Sequence, residues 1–273
     1  MTGNSAFELV DEQGWRAGLK NMLRAEFNRW WKTRTWWVQS LVWIGVVDLI
    51  LITVISAANA ADELVMPIQE LVMLYGVFGG MFTAVGVVIS MQGAIVGEKI
   101  SGTAAWVLSK PISRHAFVLA KLLANAFGVV ITAMLIPGLG AYLIITLGTG
   151  ESLSLLNFMG GMGILYLFVF YWLAFTLMLG AFFNARGPVI GIPLAFILGQ
   201  QFILGVIMSI SPKMADFFPF SLVMPPQETM MNSVVGHVIM GTPPPSWMPV
   251  YSSAIAIILF VVIGIWRFRR EEF

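Results

Sequence analysis

Side chains that could do chemistry are sparse and widely separated in this sequence. It has two histidines, His115 and His237, and no cysteine, so thiolate nucleophiles, disulfides and thiolate metal sites are excluded. Gly97-Glu98-Lys99 lacks the upstream glycine and the following serine or threonine of a phosphate-binding loop. The H-E-x-x-H and G-x-S-x-G motifs do not occur. We therefore expect a chain that is not an enzyme and has no ATPase motif of its own.

A methionine-rich segment near the C-terminal third suggests a second kind of chemistry. Six methionines accompany His237 between residues 214 and 248, and thioether and imidazole ligands suit Cu(I). Methionine is also a common filler of irregular apolar contacts. We expect no metal site here.

Four polar side chains interrupt apolar runs, and each is a candidate for lining a translocation path. They are Asp48, Gln92, Gln200 and Gln201. A charged group at the centre of a bilayer costs at least about 2.5–3.5 kcal/mol, so it normally faces a cavity or a partner. The alternative is that these side chains hydrogen-bond between helices and serve packing.

The composition indicates the kind of element that must position these residues. The chain is 58% hydrophobic and 11% charged, whereas a soluble domain is about 45–50% apolar and about 25% charged. The sequence therefore belongs to the membrane class. Acids and bases occupy the first 16 residues where a signal peptide would have a basic run and an apolar core, so we expect no cleaved signal.

Six apolar segments reach the length of about 20 residues that crosses a bilayer. They are 35–57, 66–96, 117–147, 158–183, 188–210 and 250–266. We expect an all-α integral membrane protein with one domain over 1–273. It would comprise an N-terminal segment (1–34), a six-helix membrane domain (35–266) and a tail (267–273).

The basic residues predict the orientation. Of 15 lysines and arginines, this topology places all but Lys213 on one side. Because cytoplasmic loops are enriched in basic residues, both termini and the stretch 97–114 are expected in the cytoplasm.

Residues 15–34 have the pattern of an in-plane amphipathic helix. Apolar residues, ending in Trp30 and Trp31, recur at helical spacing, and Arg16, Lys20 and Arg24 form a row beside them. Such a helix lies on an anionic membrane surface. It would serve as a membrane anchor or as a docking site for a partner.

Two further local patterns concern packing. Pro225 and Pro226 are expected to start a short outer helix between the fifth and sixth segments. Rows of small residues occur in the second segment at Gly76 and Gly80 and in the fifth at Gly187 and Gly191. Such rows allow close helix approach, either in a dimer seam or inside one subunit.

The stretch 97–114, GEKISGTAAWVLSKPISR, is polar and basic between two apolar segments. It predicts a short helix over 98–108, with Gly97 allowing the chain to leave the second span and Pro111 ending the helix. Ser113 is expected to cap the third span. A rigid connection of this kind can transmit force between two spans.

Here the sequence resembles a known family. The pattern E-K-x-S-G-T-x-x-x-x-L-S-x-P-I-S-R, with Lys121 following, looks like the permease subunits of ABC-2 type transporters. The matching positions are Glu98, Gly102, Thr103, Leu108, Ser109, Pro111, Ser113, Arg114 and Lys121. Lys110 stands where the family often has a small polar residue.

The resemblance implies that the stretch is a coupling helix that seats in a separate ATPase. The residues it assigns to coupling are Glu98, Lys99, Ser101, Gly102, Thr103, Trp106, Leu108, Pro111 and Arg114. It further implies two ATPase copies carrying ATP and magnesium, a second permease copy, either identical or related, and export across a bacterial or archaeal cytoplasmic membrane. Membrane lipid is an expected partner and nucleic acid is not.

Two other functions fit the sequence less fully. An ion- or proton-coupled secondary transporter would use Asp48, but it predicts an internal repeat that is not visible. A non-transporting anchor or sensor would use the same cytoplasmic loop to bind a partner. The scarcity of charges in the apolar segments favours an apolar or amphipathic substrate.

Overall fold

The computed structural model describes residues 14–60, 66–224 and 233–272. Every regular element within these ranges is a helix. Five of these helices are long and apolar enough to cross a membrane, and a bent helix pair would be a sixth if it is counted as one span. The prediction of an all-helical protein is thus confirmed, with five to six candidate spans where six were predicted.

The spans are named here in chain order. Span 1 is Thr35–Ala60, span 2 Ile68–Ile100, span 3 Arg114–Thr149, span 4 Leu155–Phe182, span 5 the bent pair Arg186–Leu198 and Gln200–Ile210, and span 6 Met248–Arg269.

Span 4 is the centre of the bundle. Its most apolar window is 56% buried, whereas the windows of spans 1 and 6 are 22% buried. Phe158, Leu165, Phe168 and Trp172 are almost fully enclosed. Spans 1 and 6, whose apolar windows are mostly unburied, lie at the periphery and expose wide apolar surfaces.

Three spans depart from regular α-helix. Spans 2 and 3 contain π-helical segments at Val77–Phe82 and Val130–Leu135. The second ends just before Pro137, whose ring would otherwise clash with the preceding turn. The prolines of span 5 favour a bend, because proline removes a helical hydrogen bond. Pro193 lies inside a continuous helix, and the 62° bend comes at Gly199, whose ψ of 2° leaves the helical range.

The two rows of small residues face different environments. A Cβ at Gly80 would lie 2.9 Å from Leu165 and 3.1 Å from Val223, so the row in span 2 packs inside this subunit. Gly187 and Gly191 have no side-chain or distant backbone atom within 4 Å of an added Cβ. The row in span 5 therefore faces open space.

The part of the predicted outer helix that can be described begins after its proposed start. Pro225 and Pro226 lie outside the described residues, and the helix there is Val234–Ile239, capped by Ser233, which accepts from the Gly236 amide. Ile239 contacts Gly161 of span 4, so the apolar side of the helix faces the bundle. Shorter helices, Pro212–Ala215 and Phe220–Val223, precede it.

Candidate functional site

One end of the bundle collects the basic segments, and we call it the basic end. It comprises the N-terminal helix Leu19–Trp31, the stretch 97–114, the first turn of span 5 and the last turn of span 6. The opposite end carries Lys213 and the short helices of the 212–239 region. The predicted segregation of basic residues matches this arrangement.

The N-terminal helix packs against span 3. The Trp30 indole Nε1 donates to Asn125 Oδ1 at 2.9 Å, and its ring lies against Gly128, where a Cβ would collide with it. The predicted helix over 15–34 is interrupted, because Gly18 has a φ of 74° and separates a short 3-10 turn, Gly14–Arg16, from the helix itself. The row of Arg16, Lys20 and Arg24 is exposed, as expected for a face away from the bundle.

A buried lysine joins three elements at the basic end. Lys121 of span 3 is 0% exposed, and its Nζ lies 2.7 Å from Glu26 Oε1 and 2.5 Å from Glu98 Oε1. Glu26 comes from the N-terminal helix and Glu98 from the end of span 2. Buried charges are tolerated when they are paired. Because one lysine binds acids from two other elements, this arrangement fixes the three elements relative to one another.

A second ion-paired group lies beside the first. Lys99 Nζ is 2.9 Å from Glu271 Oε1 and donates to the carbonyl oxygens of Ala181 and Phe183 at 3.3 Å. Glu271 also pairs with Arg267 at 2.9 Å. The end of span 2 is therefore tied to the end of span 4 and to the segment after span 6.

Arg114 adds a further connection between the stretch 97–114 and the C-terminal segment. Its guanidinium donates to the carbonyl oxygens of Phe268, Arg269 and Glu271. Ser113 accepts from the Ala116 amide at 3.0 Å, which confirms the predicted cap of span 3. The start of span 3 is thus fixed on two sides.

The stretch 97–114 contains two short helices where one was predicted. They are Val96–Ile100 and Thr103–Leu108, separated at Gly102, whose φ of 71° is left-handed. The single helix over 98–108 is therefore incorrect, because the left-handed residue breaks the hydrogen-bond ladder. Gly97 lies inside the first short helix and does not make the break assigned to it.

The second short helix has an inner and an outer face. Ala104 is 0% exposed, and Val107 and Leu108 pack against the bundle. Trp106 is 62% exposed and the Lys110 ammonium lies 3.6 Å from its ring centroid. We call the exposed residues the loop surface: Ile100, Ser101, Gly102, Thr103, Trp106, Ser109, Lys110 and Pro111. Ile100, although apolar, is 58% exposed.

The candidate residues for the translocation path lie in three separate environments. Gln92 lines a cavity at the basic end. Asp48 is 6% exposed in span 1, and its carboxylate packs directly on Gly140 of span 3. Gln200 is 3% exposed, and its amide lies 3.0 Å from the Met81 sulfur. The side chain of Gln201 lies outside the described part of the chain.

Two acids of the ion-paired groups were not singled out from the sequence. Glu26 lies four residues after Met22 and four before Trp30, on the buried face of the N-terminal helix. An acid on an apolar helix face, with Lys121 as a lone base in an apolar run, is a signal that such a pair exists. Glu271 carries no comparable signal, because charged residues surround it.

Comparison with known proteins identifies the chain at the level of a family. No curated protein shows significant similarity to it. A family model described as ABC-2 family transporter protein matches residues 26–273, a range that includes the six spans and both ion-paired groups. With this match and its apolar helices, the chain is a multi-pass membrane protein that belongs to the ABC-2 transporter family.

Proposed function

We propose that the chain is the permease subunit of an ATP-driven exporter and that a separate ATPase docks on the loop surface. The observation that carries the proposal is the contrast between this surface and its support. Trp106 is 62% exposed, while Lys121, directly behind the stretch, is 0% exposed and doubly ion-paired. Tryptophan is enriched among the residues that anchor protein interfaces.

The ion pairs make the support stiff. Glu98 and Lys99 at the end of span 2 are fixed to three neighbouring elements, so a displacement of the loop surface moves the ends of the spans with it. A flexible loop would absorb the same displacement. In the proposed cycle, ATP and magnesium on the partner drive closure of two ATPase copies, and closure shifts spans 2 and 3.

The second permease copy is proposed to pack along span 5 and span 1. Gly187 and Gly191 face open space, and span 1 leaves most of its apolar window exposed. Small residues in such a row let two helices approach closely in a membrane. The loop surface would then face the cytoplasm of a bacterial or archaeal cell, and an apolar or amphipathic substrate would pass between the copies.

Replacing Trp106 with alanine tests the docking surface. We expect ATPase binding to weaken at least about tenfold, because interface aromatics commonly contribute about 2 kcal/mol or more. The stability of the permease should change by less than about 0.5 kcal/mol, since the side chain is exposed. Co-purification, ATP turnover and the mass of the complex are measured, and the mass should correspond to two copies of each subunit.

Trp247→Ala is the matched control, because Trp247 is also exposed (45%) and lies before span 6 at the opposite end. Equal loss of ATPase binding in both variants, or no loss in Trp106→Ala, would reject the loop surface as the docking site.

Asp48→Asn tests the proposed role of the carboxylate in the path. One carboxylate oxygen, Oδ1, is buried with no hydrogen-bond partner among the described residues. Asparagine has the same shape without the charge, so we expect equal or higher stability, by up to about 2 kcal/mol, together with slower transport. Transport at the wild-type rate would instead assign Asp48 to packing.

A further inference from the structure

A cavity of about 550 Å³ opens at the basic end. It lies between the N-terminal helix, the start of span 1, the turn after Met91 in span 2 and the start of span 5. Its volume falls within the range of about 300–1,000 Å³ typical of small-ligand sites. Its polar lining includes Arg29, Thr35, Gln92, Glu98, Asn125 and Arg186.

Two guanidinium groups supply the cationic part of the lining. The Arg29 side chain is 69% exposed, and its closest carboxylate, that of Glu26 at 4.0 Å, is already bound by Lys121. Arg186 is exposed, forms no ion pair with a described residue and lies 3.6 Å from the position of a Cβ on Gly97. Guanidinium N–H groups recognise phosphate oxygens in a bidentate manner, so this wall suits a phosphate.

Two buried acceptors in the lining require a hydrogen-bond donor on the ligand. Gln92 Oε1 and Glu98 Oε2 are buried and have no hydrogen-bond partner among the described residues. The other oxygen of Glu98 accepts from Lys121. Because a buried acceptor without a donor costs free energy, this wall suits a ligand with N–H donors, and a carboxylate favours a cationic one.

The surroundings of the cavity indicate where such a ligand comes from. Thr35 in the lining begins span 1, and the next two residues, Trp36 and Trp37, are 39% and 41% exposed. Exposed tryptophans at the end of a span lie at the level of the lipid headgroups. The cavity is therefore at the depth of headgroups and beside the membrane.

We propose that this cavity binds the headgroup of an amino-phospholipid of the phosphatidylethanolamine type. The phosphate lies between Arg29 and Arg186, and the primary ammonium donates to Gln92 and Glu98. Ser101 and Thr103 of the loop surface also line the cavity, so this lipid site adjoins the proposed ATPase docking surface.

Lipid binding to the purified full chain in detergent tests the proposal. Phosphatidylethanolamine, phosphatidylcholine and phosphatidylglycerol with the same acyl chains are titrated, alongside free phosphoethanolamine, and bound lipid is measured by native mass spectrometry. Phosphatidylethanolamine should bind about tenfold more tightly than phosphatidylcholine, whose quaternary ammonium has no N–H donor. Arg29→Gln combined with Arg186→Gln should weaken the binding of phosphatidylethanolamine at least about tenfold.

Arg24→Gln is the matched control, because Arg24 is exposed on the same helix and does not line the cavity. Gln92→Met keeps the size of the side chain and should bring the affinities for phosphatidylethanolamine and phosphatidylcholine close together. The ratio of these two affinities in Gln92→Met still tests the proposal if the double arginine variant does not fold.

Equal affinity of the wild-type chain for the two lipids, or an undiminished preference in Gln92→Met, would overturn the proposal. Binding of free phosphoethanolamine as tight as that of the lipid would assign the cavity to a soluble ligand instead.

Discussion

Replacing Lys121 with methionine is expected to lower the free energy of unfolding by about 3–5 kcal/mol. The side chain is 0% exposed, and its removal leaves Glu26 and Glu98 as neighbouring carboxylates without their cation. Breaking a buried ion pair from one side costs this much because the remaining charge stays buried. Thermal unfolding of the purified chain in detergent measures the effect.

Two variants separate the charge effect from lost packing. Lys20→Met removes a lysine from the exposed side of the N-terminal helix and should change the stability by less than about 0.5 kcal/mol. Glu26→Gln and Glu98→Gln added to Lys121→Met should recover much of the loss, since they remove the carboxylate charges that remain buried without their cation. A Lys121→Met chain as stable as the wild type would contradict the assigned role of the lysine.

Gly102→Pro is expected to reduce ATPase binding and coupled ATP turnover at least about tenfold, equivalent to about 1.4 kcal/mol of docking free energy. Gly102 has a φ of 71°, and its amide donates to the Lys99 carbonyl oxygen at 3.2 Å. Proline fixes φ near −65° and has no amide hydrogen. The two short helices must therefore change their relative orientation, and the loop surface loses its shape.

Gly150→Pro is the control for the general cost of this substitution. Gly150 has a φ of 70°, lies between spans 3 and 4 at the opposite end, and donates to the Thr146 carbonyl oxygen at 3.1 Å. Both variants lose the same backbone geometry and one hydrogen bond. Equal retention of ATPase turnover in both would exclude the loop surface from coupling, and equal loss would indicate a folding defect.

The elements that could be predicted from the sequence are those that local patterns determine. Apolar segments of sufficient length indicated the six spans, and Ser113 before a helical run indicated the cap that the structure contains. The break at Gly102 was missed, because a glycine inside a short helical pattern is compatible both with a helix interior and with a left-handed residue. The bend at Gly199 was missed because the nearby Pro193 was the stronger local signal.

The ion-paired groups depend on contacts between distant parts of the chain. Glu26 and Lys121 are 95 positions apart, and no local pattern specifies which acid a buried lysine meets. The N-terminal helix could be predicted as a helix, but its packing on span 3 follows from Trp30 fitting against Gly128. Such complementarity becomes evident only when the positions of both helices are known.

The connection between Lys99 and Glu271 has a consequence for biosynthesis. Lys99 lies before spans 3 to 6, and Glu271 follows all of them, so a ribosome must complete four more membrane insertions before the pair can form. During that time Lys99 and Arg114 lack the carboxylate and carbonyl groups that hold them in the finished protein. The support of the loop surface is thus complete only after span 6 has been synthesised.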